Sequence, residues 1–234
     1  MKTIIKTLAA TGPIAIGLAA AAALTAAAPA AAQVEGRIAT VDTTRAIIGT
    51  EALRNAYETV TTTYKAQIDQ RAARQQQLTD LLKPFDTNGN GRLDEAEIPG
   101  LQNASNFQQI QQIEAEVAGL TDQVNDARIF AIEQIFAQYG AAIEEVANTQ
   151  QIQIIMPVGS VLYGRAEADI TGQVTTALNA KVPSVGVVPP QNYRPSQQGA
   201  GLFQEIQQRL VTAQIMQQRQ QQQQQGNTEA PAGR

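Results

Sequence analysis

Residues 86–97 carry the strongest chemical signal in this 234-residue sequence. The stretch DTNGNGRLDEAE sets oxygen-bearing side chains at positions 1, 3, 5, 9 and 12, with glycine at position 6. Calcium binds six to eight hard oxygen ligands, and this spacing is that of an EF-hand loop. The predicted ligands are Asp86, Asn88, Asn90, the backbone carbonyl of Arg92, Asp94 and Glu97.

The frame around this loop is imperfect, which predicts weak binding. Pro84 falls in the incoming helix and Pro99 in the outgoing one, where proline kinks or shortens a helix. No second loop of this kind occurs in the chain to pair with the first. We therefore expect calcium dissociation at roughly 10⁻⁴ to 10⁻³ M and a structural role for the ion instead of sensing. The alternative is a polar Asn-Gly turn that needs no metal.

Composition excludes several other kinds of chemistry. Cysteine and histidine are both absent, so thiolate sites, disulfides and histidine bases are impossible. We find no G-x-x-x-x-G-K-[ST] motif, so an ATP-driven machine is not expected. Acidic pairs such as Glu144-Glu145 fall on a predicted solvated helix face, and we do not expect an enzyme.

The first residues predict an export signal. Lys2 and Lys6 precede an apolar, Ala-rich stretch that ends in an A-x-A pattern at Ala30 and Ala32. Cleavage after Ala32 would change the net charge from −4 to −6, because both lysines leave with the signal. The alternative is a retained N-terminal anchor. No later apolar run approaches the roughly 20 residues of a membrane helix, so a soluble periplasmic protein that does not bind nucleic acid is expected.

The loop is flanked by two long helical patterns. Apolar residues recur at steps of three and four through residues 43–83 and again through 107–149, which is the seam pattern of a coiled coil. Each stretch of about 40 residues would extend roughly 60 Å. We predict that they fold back as an antiparallel hairpin, the arm (43–149), with its tip at 84–99. Polar residues from Arg71 to Gln75 interrupt the seam and are read either as a flexible point or as a solvated segment.

Short strands are predicted on both sides of the arm. RIATVD (37–42) alternates apolar and polar residues, and two further candidates lie within 151–164. A last helix is predicted at 166–182. The fold class is therefore mainly α with a small β body, a long helical hairpin on a short-stranded base. So small a sheet is marginal alone, and we expect oligomerisation through it.

The end of the chain, residues 183–234, is rich in Pro, Gly and Gln and is predicted to be a largely disordered tail. Within it, Phe203, Ile206 and Leu210 form a short amphipathic stripe. We interpret the stripe either as a helix that docks on a partner or as a transient helix without a dedicated role.

The order of these segments resembles the Skp/OmpH family of periplasmic chaperones over about residues 37–182. The matching positions are Gln151, Ile152, Ile154, Ile155, Val161, Tyr163, Asp169, Ile170 and Thr171. The resemblance implies an ATP-independent holdase, a homotrimer with a small β body and helical arms around a cavity. It also implies that its partners are unfolded outer-membrane proteins.

Three features depart from that family. The arm carries a net charge near −5, whereas family members are usually basic, so apolar and hydrogen-bonding contacts must do more of any client binding. The tip loop and the Gln-rich tail are additions. They leave open a second hypothesis, a calcium-dependent envelope scaffold that recruits a folded partner.

Overall fold

The computed structural model describes residues 36–228, with side chains described through residue 222. The predicted export signal (1–32) and residues 229–234 of the predicted tail lie outside the described residues. Within the described part the α-helices are α1 Thr43–Ile48, α2 Glu51–Thr63, α3 Lys65–Leu82, α4 Ile98–Gln102, α5 Phe107–Phe136, α6 Tyr139–Gln150, α7 Thr171–Lys181 and α8 Gln197–Thr228. The strands are β1 Arg37–Val41 and β2 Ile152–Pro157. The predicted fold class, mainly α with a small β body and a long helical arm, is confirmed.

The half of the arm that precedes the loop contains three helices, α1, α2 and α3. Asp42 caps α1 by accepting a hydrogen bond from the backbone N–H of Arg45 at 2.9 Å. Thr50 caps α2 in the same way, through the N–H of Leu53 at 3.2 Å. A side-chain oxygen at the N-cap satisfies one of the donors that a helix start leaves free, so both residues favour new helix starts. Tyr64 separates α2 from α3.

Buried apolar residues pair the two halves of the arm in antiparallel order. Near the tip, Leu78 of α3 packs with Ile110 and Ile113 of α5, which we call the tip cluster. The middle cluster joins α2 and α5 and consists of Ala56, Val60, Val124, Ala127, Ala131 and, from the tail, Val187. Residue numbers fall on one helix as they rise on the other, so the chain doubles back at the loop as predicted.

The base cluster is the largest core. It draws buried residues from both strands and from α1, α2, α5, α6, α7 and α8, among them Ile47, Ile132, Ile170, Leu178 and Ile206, each 0% exposed. Most of the apolar burial of the described chain is therefore at this end, away from the tip.

The β body is smaller than predicted. β1 and β2 pair in parallel, with Ile38 opposite Ile154 and Val41 opposite Pro157. The predicted strand near residues 161–164 is wrong, since a 3₁₀ turn covers Val158–Ser160 and the chain stays irregular after it. The additional contact to β1 is a single bridge between Thr40 and Asp169. Leu162 and Tyr163 are exposed. Their apolar side chains resemble a strand pattern in the sequence, but in the described chain no partner strand lies beside them.

The last helix of the predicted chaperone domain is shorter than expected. Residues Ala166–Ala168 form a 3₁₀ turn, and α7 begins only at Thr171. Asp169 bends the chain there, because its carboxylate accepts hydrogen bonds from both the backbone N–H (2.9 Å) and the hydroxyl (2.5 Å) of Thr171.

The prediction of a largely disordered tail is wrong for the residues that the structure describes. Residues 197–228 form the helix α8, and its Ile206 is fully buried in the base cluster with Leu202 and Phe203 packed beside it. Arg209 of α8 pairs with Asp42 at 2.7 Å. The amphipathic stripe therefore docks on its own chain, where burial of its apolar face stabilises the helix.

None of the helices between residues 36 and 228 combines the length and the apolar character that crossing a bilayer would require.

Candidate functional site

The tip loop has the turn geometry that its glycines predict. Gly89 and Gly91 adopt φ values of 72° and 76°, a region that residues with a Cβ rarely enter. The carboxylate of Asp86 accepts hydrogen bonds from the backbone N–H groups of Asn90 (3.1 Å) and Gly91 (2.7 Å). Asp86, the first residue of the loop, therefore fixes the backbone at the centre of the loop.

The two asparagines continue this wrapping. The side-chain oxygen of Asn88 accepts from the N–H of Asn90 at 3.0 Å, and that of Asn90 accepts from the N–H of Arg92 at 2.8 Å. Their amide nitrogens both donate to the carboxylate of Asp94, at 2.6 and 3.1 Å. Four of the predicted ligands are therefore tied to one another within a single turn.

Glu97 closes the loop from its other end. It is 8% exposed, and one carboxylate oxygen accepts from the N–H and the hydroxyl of Thr87, both at 2.6 Å, and from the N–H of Asn88 at 3.3 Å. The other oxygen accepts from the N–H of Asp94 at 3.0 Å. The hydrogen bond from the Thr87 hydroxyl and those from the backbone lower the pKa of Glu97 to about 2.

The structure brings the predicted ligands into one loop but does not converge their carboxylates. Among the described residues no group of three or more acidic side chains gathers closely enough to hold a metal ion. The donor types suit calcium, since Asp86, Asn88, Asn90, Asp94 and Glu97 all offer hard oxygens. Calcium binding would require Glu97 to exchange its hydrogen bonds for the ion.

Arg92 lines a cleft of about 740 Å³ between the loop and the end of α3.

A polar gap separates the tip cluster from the middle cluster. We use this name for residues 69–77 of α3, none of which is buried. Arg74 crosses the arm there to Glu116, with 2.8 Å between Nε and Oε2 and both side chains about one-third exposed. The stretch that the sequence marked between Arg71 and Gln75 therefore contributes no buried residue to the arm.

The β body exposes apolar side chains that the single chain leaves uncovered. Ile38 and Ile154, opposite each other in the strand pair, are 52% and 43% exposed. Leu162 and Tyr163 follow β2 and are even more exposed. Such neighbouring apolar side chains are typical of a surface that is covered in an assembly.

A polar network joins the strands to the flanking helices. Arg45 donates hydrogen bonds to Asp169 and to the hydroxyl of Thr171, at 3.1 Å for the latter, and Thr171 accepts from the N–H of Asp42 at 3.0 Å. Burial raises the pKa of Asp42, but hydrogen bonds from Arg209 and from the N–H of Arg45 outweigh it, so the pKa lies below its ordinary value. This network explains the Asp169-Ile170-Thr171 motif, whose middle residue is buried in the base cluster.

Sequence reasoning missed the contacts of residues 183–209, although the stripe at Phe203 and Ile206 was visible. Glu133 of α5 accepts hydrogen bonds from the Tyr193 hydroxyl (2.6 Å) and the Ser196 N–H (2.8 Å). Burial raises the pKa of Glu133, yet the hydrogen bond from the Ser196 hydroxyl at 2.5 Å, together with these two, brings the pKa below its usual value. No local pattern in the linker marks Glu133 as its partner.

Two comparisons with known proteins find similarity to this chain. A family model described as outer membrane protein (OmpH-like) matches residues 37–178. A crystal structure of an OmpH-like protein from Caulobacter crescentus CB15, described as a proposed outer membrane chaperone, aligns over 68% of this chain and 94% of that one. The identity is 15% and the TM-score 0.40, a likeness too loose to define a function. No curated protein matches the sequence at a significant level.

Proposed function

The chain belongs to the OmpH-like family, whose model covers more than half of it, and from this premise we propose that it is an ATP-independent holdase chaperone of the periplasm. Its clients are unfolded outer-membrane proteins. The observation that carries the proposal is that the family match covers the strands, both halves of the arm and most of α7.

The arm has the physical properties that a holdase needs. The apolar side chains between its two halves are divided into separate clusters by the polar gap, so the arm has a weak point at which it can bend around a client. Because the arm is acidic, its grip on a client depends on apolar contacts and hydrogen bonds more than on charge.

The test is aggregation of an unfolded outer-membrane β-barrel diluted from urea, with and without the purified mature protein. We expect stoichiometric amounts to keep the barrel soluble without nucleotide. Bovine serum albumin at the same mass concentration is the control for nonspecific protection. Protection no better than that control would exclude the holdase. Capture of one discrete folded envelope protein instead would favour the calcium-dependent scaffold.

We also propose that the tip loop binds calcium weakly. The support is its ligand spacing together with the turn at Gly91 and the wrapping of Asp86, Asn88 and Asn90 around it. Bound calcium would draw Asp94 and Glu97 toward the same point and fix the angle at which α3 and α5 leave the tip. Hydrogen bonds from Thr87, Asn88 and Asp94 to Glu97 already join the two ends of the loop, so we assign the ion a stabilising role.

Finally, we propose that three copies assemble through the β body. The support is the exposed pair Ile38 and Ile154, next to a two-stranded sheet that is marginal by itself.

A further inference from the structure

Residues 184–188, the sequence SVGVV, lie without regular secondary structure along the arm. The side-chain amide of Gln134 brackets Gly186, since its nitrogen donates to the Gly186 carbonyl at 2.9 Å and its oxygen accepts from the Gly186 N–H at 3.0 Å. These are the two hydrogen bonds that a neighbouring β-strand would make to the same residue. Both hydrogen bonds from Gln134 to Gly186 therefore go to the backbone, and neither depends on the side chain at that position.

The valines on either side of Gly186 enter apolar surroundings. Val187 is 7% exposed and belongs to the middle cluster, while Val185 is half-buried between the middle and base clusters. The phenol oxygen of Tyr64 donates a hydrogen bond to the carbonyl of Val187 at 3.3 Å. Val188, the next residue, is 65% exposed. Alternate side chains of the segment therefore provide its apolar contact.

We use the name arm groove for the middle-cluster residues of α2 and α5 together with Tyr64 and Gln134, which hydrogen-bond to the segment. The cluster residues are Ala56, Val60, Val124, Ala127 and Ala131. All of these residues lie within the part of the chain that the family model covers, whereas the segment that fills the groove lies beyond it. The groove and its occupant therefore belong to different parts of the chain.

Resting on the proposed holdase function, we propose that the arm groove is a binding site for extended, apolar segments of unfolded β-barrel proteins, and that residues 184–188 occupy it as an internal competitor. Strands of outer-membrane barrels alternate apolar and polar residues, which matches a groove that buries every second side chain. Main-chain hydrogen bonds supply affinity in this mode of recognition, so many sequences fit.

The position of Gly186 supports a tolerant site. A Cβ placed there would lie 3.7 Å from Gln134 Oε1 and from Phe130 Cε1, which is ordinary van der Waals contact. Residues other than glycine can therefore sit opposite Gln134, as a client requires. The contacts to residues 185–187 described above are apolar or are hydrogen bonds to the backbone, which suits extended, apolar segments.

The experiment compares Val187→Asp with Val188→Asp in the full chain. The two variants add the same charge one residue apart, but only the first removes a buried side chain from the groove. The probe is a fluorescent peptide with the sequence of residues 183–192, measured by anisotropy, and hydrogen exchange of residues 184–188 reports release of the segment. If residues 184–188 are out of the groove in about one-tenth of the wild-type molecules, releasing them completely lowers the dissociation constant of the peptide about tenfold.

We expect that gain for Val187→Asp, unchanged binding for Val188→Asp, and loss of the gain when Gln134→Ala is added to Val187→Asp. A released segment without tighter peptide binding would overturn the proposal. If residues 184–188 of Val187→Asp remain protected from hydrogen exchange, Val185→Asp is added to that variant. Protection that survives both substitutions also overturns the proposal, because a segment that never leaves the groove does not compete with a client. The holdase function and the groove can fail separately. If the variant binds the peptide but the wild-type chain does not keep an unfolded barrel soluble, the holdase function is refuted and the peptide-binding groove is not.

Discussion

Glu97 accepts hydrogen bonds from Thr87, Asn88 and Asp94, so a single carboxylate both closes the tip loop and stands at the last calcium-ligand position. Its replacement by glutamine weakens the loop with or without metal, and the informative quantity is the calcium dependence of stability. At a free calcium concentration ten times the dissociation constant, we expect wild-type stability to rise by about 1.4 kcal/mol. Glu97→Gln should show no calcium-dependent rise in thermal melting and no heat in calorimetry.

The matched control for that experiment is Glu95→Gln, an exposed carboxylate in the same loop that is not at a ligand position. It should keep the calcium response of the wild type. Equal responses of the two variants, or no response of the wild type at millimolar calcium, would show that the loop is a polar turn.

Asp42 gives a pH prediction at the same scale. Its pKa is lowered in the folded chain, so the stability it contributes is present above its unfolded pKa of about 4 and is lost as the pH falls through the lower folded value. Asp42→Asn keeps a helix cap but loses the ion pair with Arg209. We expect a cost of about 1 to 2 kcal/mol at pH 7 that shrinks as the pH falls below about 4, measured by urea unfolding. Glu58→Gln, an exposed carboxylate on α2, should show no such convergence.

The docking of α8 gives a prediction at the scale of the element. Ile206 is fully buried and Ile215 on the same helix is 45% exposed. Ile206→Ala should lower the free energy of unfolding by about 2 to 4 kcal/mol, since it deletes buried methyl groups and leaves a cavity. Ile215→Ala should change it by less than about 0.5 kcal/mol. Urea unfolding at one protein concentration compares them, and equal effects would mean that α8 is not docked.

The elements differ in how well local sequence predicts them. The arm helices follow from apolar residues three and four positions apart, a signal that lies within each helix. The glycine turn of the tip loop is equally local. The strand predicted near Tyr163 failed because an apolar run does not show whether a partner strand is present. The path of the tail failed for a related reason, because Gly186 is held by Gln134 and Arg209 by Asp42, contacts between residues far apart in sequence.

At the scale of the whole molecule, most of the buried apolar side chains of the described chain lie at one end. The base cluster joins elements from β1 to α8, while the arm beyond it has only small clusters and a polar gap. If the proposed assembly forms, a base shared between copies would hold an arm that has so little apolar packing of its own. The exposed Ile38 and Ile154 are the surface by which such a base would be shared.

Assembly through that surface can be tested by mass. We expect the mature wild-type chain to sediment as a trimer, because burying Ile38 and Ile154 of each copy removes apolar surface from water. Ile154→Asp should shift the chain to a monomer at micromolar concentration, since a charge buried in an apolar contact without a partner is strongly unfavourable. Val211→Asp, which makes the same kind of change at a 52% exposed position of α8, should leave the trimer intact. A monomeric wild type would contradict the trimer, and with it the cavity that three arms would enclose. If Ile154→Asp still forms trimers, the interface must lie on another face of the β body.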